Sequence, residues 1–352
     1  MATIPGLVVQ SVADYALDYH VRKGMLFQNV QDRPLLRWLE GGKKTFSGGK
    51  GLITEPVQGS GGSGSIGMMS DTAGFFAGFS GDTALTFTQM GLGDRAEYSW
   101  KEMHAGFVIT FSQLKQDDIV VVDGEQRTVD ASDTTITRLS GILEGAMRDY
   151  AESWARSQNS MYWDDGTQDS LQVPGIKALI VDDPTGGTVG GISQAANPWW
   201  RSRADLSLVP SAENQDLSRF LRKEVIQLQR YSSGPNSLFC GSDFLDALML
   251  EVQAKGLYTQ SGFTGNNDIG MQKVSIAGVG TFQYDPTLDD KGMAKRCYAL
   301  SRDIQMRPME NAHNLTFAPA RPYQYMVLIK SMVDTAALTA RRLNASAVYS
   351  LT

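Results

Sequence analysis

The sequence predicts an α+β protein, and three observations carry that prediction. Apolar residues recur at three-to-four spacing from Ile136 through Leu139, Leu143, Met147, Tyr150 and Trp154, the period of an amphipathic helix. Elsewhere, short segments alternate with period two, as half-buried strands do. Strands and helices do not follow one another in the βαβ rhythm of a parallel sheet, and the chain contains no internal repeat.

In chain order, Val12, Tyr15, Tyr19 and Leu26 fit an irregular amphipathic helix within Ser11 to Val30. The apolar group Leu35, Leu36, Trp38 and Leu39 follows, stopped by Gly41, Gly42, Gly48 and Gly49. Leu52 to Gln58 reads as a strand and Ala96 to Phe111 as a longer one, with Tyr98 and Trp100 on one face and Glu97, Ser99 and Lys101 on the other. Together they predict a long two-stranded arm. Asp133 is placed to cap the long helix, which runs to about Met161 and ends in the turn Asp164, Asp165, Gly166. A mixed region continues to about Arg307, with helices at Leu217 to Arg230 and Phe244 to Ala254 and a buried strand at Ser237 to Cys240. Within it, Lys273 to Ile276 and Thr281 to Tyr284 form a hairpin. Tyr323, Tyr325, Val327 and Ile329 alternate as a strand, and a further strand ends at Leu351; if it pairs back toward the long helix, it closes one discontinuous domain.

At 352 residues and 42% hydrophobic content, the chain can fill real cores, and its net charge of -6 gives no global basic excess for neutralising phosphates. Cys240 and Cys297 stand far apart with no metal spacing, which predicts folding in a reducing compartment without a disulfide framework. Met1 to Gln10 lacks a basic start and a long apolar run, and no segment approaches the ~20 apolar residues of a membrane span, so neither export by that route nor a membrane partner is expected.

Sites for chemistry are absent from the pattern. His20, His104 and His313 have no second ligand at metal spacing, so no metal is expected. No Gly-x-Ser-x-Gly occurs, the nearest approach being Gly191, Ser193 and Ala195. Gly59, Gly61 and Gly64 match the dinucleotide glycine pattern, but more glycine and serine follow instead of a helix that could hold pyrophosphate. A phosphate-cradling loop needs a lysine, and none lies between Lys50 and Lys101. The adjacent acids Asp117 with Asp118 and Asp164 with Asp165 read as turns, not as acid and base partners. No cofactor and no enzymatic activity are expected.

Sticky surface is present instead. Eight glycines from Gly59 to Gly81 share a nearly uncharged stretch with Phe75, Phe76 and Phe79, and a two-stranded arm cannot bury such aromatics by itself. Pro198, Trp199, Trp200 and Arg201 carry the residue types enriched at interface anchors, although two core tryptophans fit the same pattern. The expected inter-subunit contacts are Phe75, Phe76, Phe79, Tyr98, Trp100, Trp199, Trp200 and Arg201.

The order of these parts resembles the major capsid proteins of tailed bacteriophages with the Hong Kong 97-type fold. Asp183-Pro184-Thr185-Gly186-Gly187-Thr188-Val189-Gly190-Gly191-Ile192, followed by Ala195-Ala196-Asn197-Pro198-Trp199-Trp200-Arg201, is its most specific stretch. The turn Asp165-Gly166-Thr167 after a long helix and the strand Ala96-Glu97-Tyr98-Ser99-Trp100-Lys101 are also similar, with Ser99 where the family often has proline.

The resemblance implies an N-arm over 1–45, an E-loop over 46–110, a P-domain with the spine helix over 111–163, an A-domain over 164–307 and a return to the P-domain over 308–352. It implies a homo-oligomeric icosahedral shell of hexamers and pentamers, part of the virion and assembled in the host cytoplasm. The implied partners are other copies of the chain, a portal protein, a separate scaffolding protein, an optional decoration protein and packaged double-stranded DNA held without sequence-specific contacts. A separate scaffold is expected because Met1 leads straight into the N-arm. Some relatives join a loop lysine to a neighbour's asparagine; here the stretch from Gly51 to Trp100 has no lysine, so no covalent cross-linking is expected. Two rivals remain at this level: an encapsulin-like nanocompartment shell, and a soluble cytoplasmic enzyme with an unrecognised site.

Overall fold

A computed structural model describes residues 2–5, 31–49, 51–59, 80–82, 94–116, 119–122, 133–211, 216–230, 234–254, 273–276, 278–317 and 325–352. The helices are α1 (Pro34–Gly41), α2 (Phe111–Gln116), α3 (Asp133–Trp163), α4 (Ile176–Leu179), α5 (Asp216–Gln229), α6 (Ser242–Ala254) and α7 (Pro286–Asp290). The strands are β1 (Ala2–Pro5), β2 (Leu52–Val57), β3 (Asp94–Ser99), β4 (Lys101–Thr110), β5 (Ile119–Val122), β6 (Thr188–Val189), β7 (Ile192–Ser193) and β8 (Arg203–Leu208). They continue with β9 (Ser237–Cys240), β10 (Lys273–Ile276), β11 (Gly280–Tyr284), β12 (Arg296–Leu300), β13 (Ile304–Pro308), β14 (Leu315–Thr316), β15 (Val327–Ala340) and β16 (Ala347–Leu351). The chain falls into two compact units, both discontinuous in sequence: 1–31, 102–158 and 308–335 in the first, 32–101, 159–307 and 336–352 in the second.

In the first unit, β4 pairs with β15, and β14 pairs antiparallel with β15 at Leu315 with Val333 and Thr316 with Met332. The two backbones approach closely at Gly106, where a Cβ would lie 2.9 Å from the Lys330 carbonyl oxygen. Phe107, Tyr150 and Trp154 form an aromatic chain, with centroids 5.3 and 6.4 Å apart. Below it, the buried Asp334 carboxylate accepts from Gln158 and from the Asn314 backbone N–H, and His313 Nδ1 lies 2.8 Å from Asp334 Oδ1. The Asn314 side-chain oxygen accepts in turn from Trp154 and Gln158. A buried carboxylate is tolerated because donors surround it. β1 and β5 form a separate parallel pair.

The second unit centres on a six-stranded sheet in the order β10-β11-β9-β12-β16-β8. Leu217, Leu221, Val225 and Leu228 recur on one face of α5 and, with Phe244, Leu245 and Leu248 of α6, cover one side of the sheet over Leu238, Phe282 and Ala299. Burying each such side chain contributes about 1.5–3 kcal/mol. Glu251 of α6 is itself buried and accepts from the backbone N–H groups of Leu217 and Ser218, satisfying donors that the start of α5 leaves open. On the other face, Trp163 stands edge-on to Phe239 at 6.1 Å and meets Tyr298 at 5.1 Å, while Trp38 of α1 meets Phe239 at 6.0 Å.

Four differences from the sequence reading stand out. The strand expected over Ala96 to Phe111 breaks at Trp100: β3 pairs with β2 in full register, whereas β4 pairs with β15, so the arm's second strand is only 6 residues long. The sheet is mixed, because β11 runs parallel to β9 across the α6 connection and β16 runs parallel to β8. The last strand lies inside the six-stranded sheet, in the unit that holds only the end of the long helix; Ala347, Val348 and Tyr349 are all buried, as suits a strand held between β12 and β8. The strand expected from Tyr323 begins only at Val327, and Tyr325 precedes it, exposed. The helix expected at Ser11 to Val30 and the segment bearing Phe75, Phe76 and Phe79 lie outside the described residues.

Candidate functional site

Several of the features singled out in the sequence, Tyr98, Trp199, Trp200 and Arg201 among them, converge on one place in the second unit, the root of the β2–β3 ribbon. β2 and β3 pair from Leu52 with Ser99 to Val57 with Asp94, and residues 58–93 connect these two ends in sequence. Along β2 the inward positions are Glu55 and Val57, and along β3 they are Ala96 and Tyr98. An inward glutamate must be paired, and Glu55, 3% exposed at its side chain, is held by two arginines. Arg307 donates to Oε1, and Arg341 Nε donates to Oε2 at 2.7 Å. The Tyr98 hydroxyl donates to the Ala340 carbonyl at 3.0 Å, and burial raises its phenol above the ordinary range.

The glycine-rich stretch after Pro184 supplies the other side of the root. β6 and β7 form a small hairpin whose turn residues Gly190 and Gly191 have φ of 60° and 78°. Gly190 accepts the Glu97 N–H at 2.8 Å, and a Cβ there would lie 2.9 Å from the Tyr98 hydroxyl, so the position requires glycine for both space and conformation.

Pro198–Trp200 form one turn of 3-10 helix. Trp200 is buried at 1% exposure, and its indole N–H donates to the Val189 carbonyl at 2.9 Å. Trp199 is half-buried, edge-on to Trp200 at 5.7 Å, and packs on the backbone of Gly59 so tightly that a Cβ on Gly59 would fall 1.8 Å from the indole ring. Arg201 fastens the turn from outside, donating to the Gln194 and Ala195 carbonyls at 2.6 and 3.0 Å. Trp100, at the break between β3 and β4, is half-buried.

The structure therefore brings Tyr98, Trp199, Trp200 and Arg201 together around the root. Tyr98 and Trp200 turn inward, and Trp199 faces partly out. Three contributors went unnoticed in the sequence: Glu55, Arg307 and Arg341. Only the first left a signal, as a charge on the inward face of a strand.

Beside the root, a groove of about 370 Å³ is lined by Trp199, Arg201, Phe220 and the ion pair Arg203–Glu224. Arg203 spends its fork on Glu224, at 2.6 and 2.8 Å. Among the described residues, no three histidine, cysteine or acidic side chains are grouped to hold a metal ion, and no helix is long and apolar enough to cross a membrane.

No protein-family model matches the chain, and no curated protein matches it in sequence. Solved structures do match in shape. A chain from the capsid asymmetric unit of cyanophage A-1(L) aligns over 95% of this chain and 96% of its own length, with a TM-score of 0.62 and 14% identity. A chain from the capsid of an empty GTA particle aligns over 95% and 94%, with a TM-score of 0.57 and 11% identity. A chain from the capsid of Myoviridae phage XM1 aligns over 96% and 97%, with a TM-score of 0.53 and 11% identity. At such identities the agreement is one of fold, and it runs nearly end to end in both partners. The chain has the Hong Kong 97-type fold of phage capsid chains.

Proposed function

We propose that this chain is a major capsid protein of a tailed bacteriophage, a structural subunit and not an enzyme, which assembles through hexamers and pentamers into an icosahedral shell around double-stranded DNA. The observation that supports it best is the correspondence with capsid chains over at least 95% of its length. In this reading, 1–45 is the N-arm, 46–110 the E-loop, 111–163 the P-domain with its spine helix and 164–307 the A-domain. Residues 308–352 return to the P-domain, although residues 336–352 cluster with the sheet-bearing unit.

The arm works by being rigid at its root and apolar further out. The Glu55 clamp, the Glu97–Gly190 hydrogen bond and the Gly59–Trp199 contact fix where the ribbon leaves the subunit. Phe75, Phe76 and Phe79 then cover a neighbouring copy, with Trp100, Trp199 and Arg201 adding contacts near the root. Tyr98 and Trp200 serve these contacts by holding the platform in place. Many modest contacts repeated by symmetry sum to a stable closed shell. A net charge of -6 keeps the wall from adhering to a packed polyanion, so the DNA is enclosed without sequence-specific contacts. A portal protein, a separate scaffolding protein and, optionally, a decoration protein complete the set of partners, with assembly in the host cytoplasm and residence in the virion.

Electron microscopy of the purified protein, alone and with its scaffolding partner, tests the proposal. Closed shells are expected; particles that remain monomeric or dimeric under every assembly condition overturn it. Shells enclosing a protein cargo instead of nucleic acid would favour the nanocompartment reading.

A further inference from the structure

The two cysteines, far apart in sequence, face each other in the centre of the six-stranded sheet. The antiparallel register of β9 and β12 sets Cys240 directly opposite Cys297. Both are free thiols with 0% exposure. Residues opposite each other share a face, and these two lie in the apolar cluster with Leu238, Ala299 and Phe244.

The ladder also fixes which kind of pair they form. Hydrogen-bonded and non-hydrogen-bonded pairs alternate along an antiparallel ladder. The Gly241 N–H donates to the Arg296 carbonyl at 3.0 Å, which marks that neighbouring pair as hydrogen-bonded and the cysteine pair as non-hydrogen-bonded. The far side of β12 agrees: the Leu351 N–H donates to the Lys295 carbonyl at 3.0 Å, so Cys297 directs its backbone groups toward β16 and away from β9. Non-hydrogen-bonded pairs are the closer kind, with Cα atoms about 4.5 Å apart, just inside the ~4.4–6.8 Å range that a disulfide spans.

We propose that Cys240 and Cys297 are an oxidisable cross-strand pair, which a disulfide oxidant of the glutathione class converts into an intrachain disulfide joining β9 to β12. One cysteine thiolate attacks glutathione disulfide, forming a mixed disulfide and releasing one glutathione. The second thiolate attacks the protein sulfur of that intermediate and releases the other. Two protein S–H bonds and one glutathione S–S bond break; one protein S–S bond and two glutathione S–H bonds form.

The protein gives up little in closing it, a single weak contact from Cys240 Sγ to the Gln283 carbonyl at 3.6 Å. The native thiols are sluggish: burial pushes Cys240 up to about 12 and holds Cys297 well above its ordinary value. Closure therefore proceeds while the sheet opens or folds, and a glutathione-reducing compartment keeps the pair as dithiols. A cross-link at the short end of the allowed span is also more readily reduced than an ordinary structural disulfide.

The test uses the full-length protein held in glutathione disulfide with sub-denaturing urea, then returned to buffer, acid-quenched and analysed by intact mass and non-reducing peptide mapping. The expected product has lost two hydrogens, contains a peptide pair linked through Cys240 and Cys297, and unfolds at a higher urea concentration than the reduced protein. Cys240→Ser or Cys297→Ser each abolishes the linked pair. Persistence of both free thiols, a predominance of glutathione adducts or chain-to-chain dimers, or an oxidised product that unfolds at lower urea would each overturn the proposal.

Discussion

Replacing Glu55 with alanine tests whether the arm is anchored by charge. The substitution leaves Arg307, whose side chain is 12% exposed, without its anion, and breaking a buried pair from one side costs about 3–5 kcal/mol. Arg341 is 43% exposed, so solvent screens its share to about 1 kcal/mol or less. Glu55→Ala should therefore cost about 3–6 kcal/mol, a large fraction of a total stability that is typically about 5–15 kcal/mol. Urea unfolding of the single and double variants separates the two arms of the clamp. The Glu55–Arg307 coupling should reach about 2 kcal/mol or more and the Glu55–Arg341 coupling should stay below about 1 kcal/mol. Equal couplings, or a Glu55→Ala cost under about 1 kcal/mol, would refute the reasoning that burial sets the strength of the anchor.

Other perturbations reach the same framework. Gly59→Ala places a methyl inside the Trp199 ring and should destabilise by about 1–3 kcal/mol, with Trp199→Ala in the same chain recovering part of the loss; a neutral Gly59→Ala in calorimetry would show that the contact does not hold the ribbon. Burial, opposed by hydrogen bonds from Trp163, Thr287 and Asn159, raises the Asp285 carboxyl above its usual 3.8. A raised folded value means that its stabilising contribution is complete below the unfolded pKa and is lost as pH rises through the folded one. The gap in urea midpoint between wild type and Asp285→Asn should therefore shrink from pH 4 toward neutrality; a gap that widens contradicts the assignment. Deleting residues 59–81 should leave soluble, folded subunits that form no shells, as read by circular dichroism and sedimentation, and shells of normal yield would remove the arm from the assembly mechanism.

Local chemistry made most of the elements legible. The long helix, β9 and the β10–β11 hairpin each follow from a period or a turn confined to a few neighbouring residues. What stayed hidden depends on pairing across long stretches of chain. The alternation of Ala96 to Phe111 continues through Trp100, so nothing local reveals that the strand changes partner there. Glu55 meets arginines 252 and 286 positions away, and Cys240 meets Cys297 only because the sheet register brings them opposite. Trp199 and Trp200 looked equivalent in sequence. One turn of 3-10 helix sends Trp200 into the core and leaves Trp199 against Gly59.

The central claim is that this subunit is completed by its siblings, and cryo-electron microscopy of the purified protein under assembly conditions tests it most directly. The account predicts closed shells in which the segment carrying Phe75, Phe76 and Phe79 lies against an adjacent copy. A solitary, stable subunit with that segment folded into its own core would contradict it.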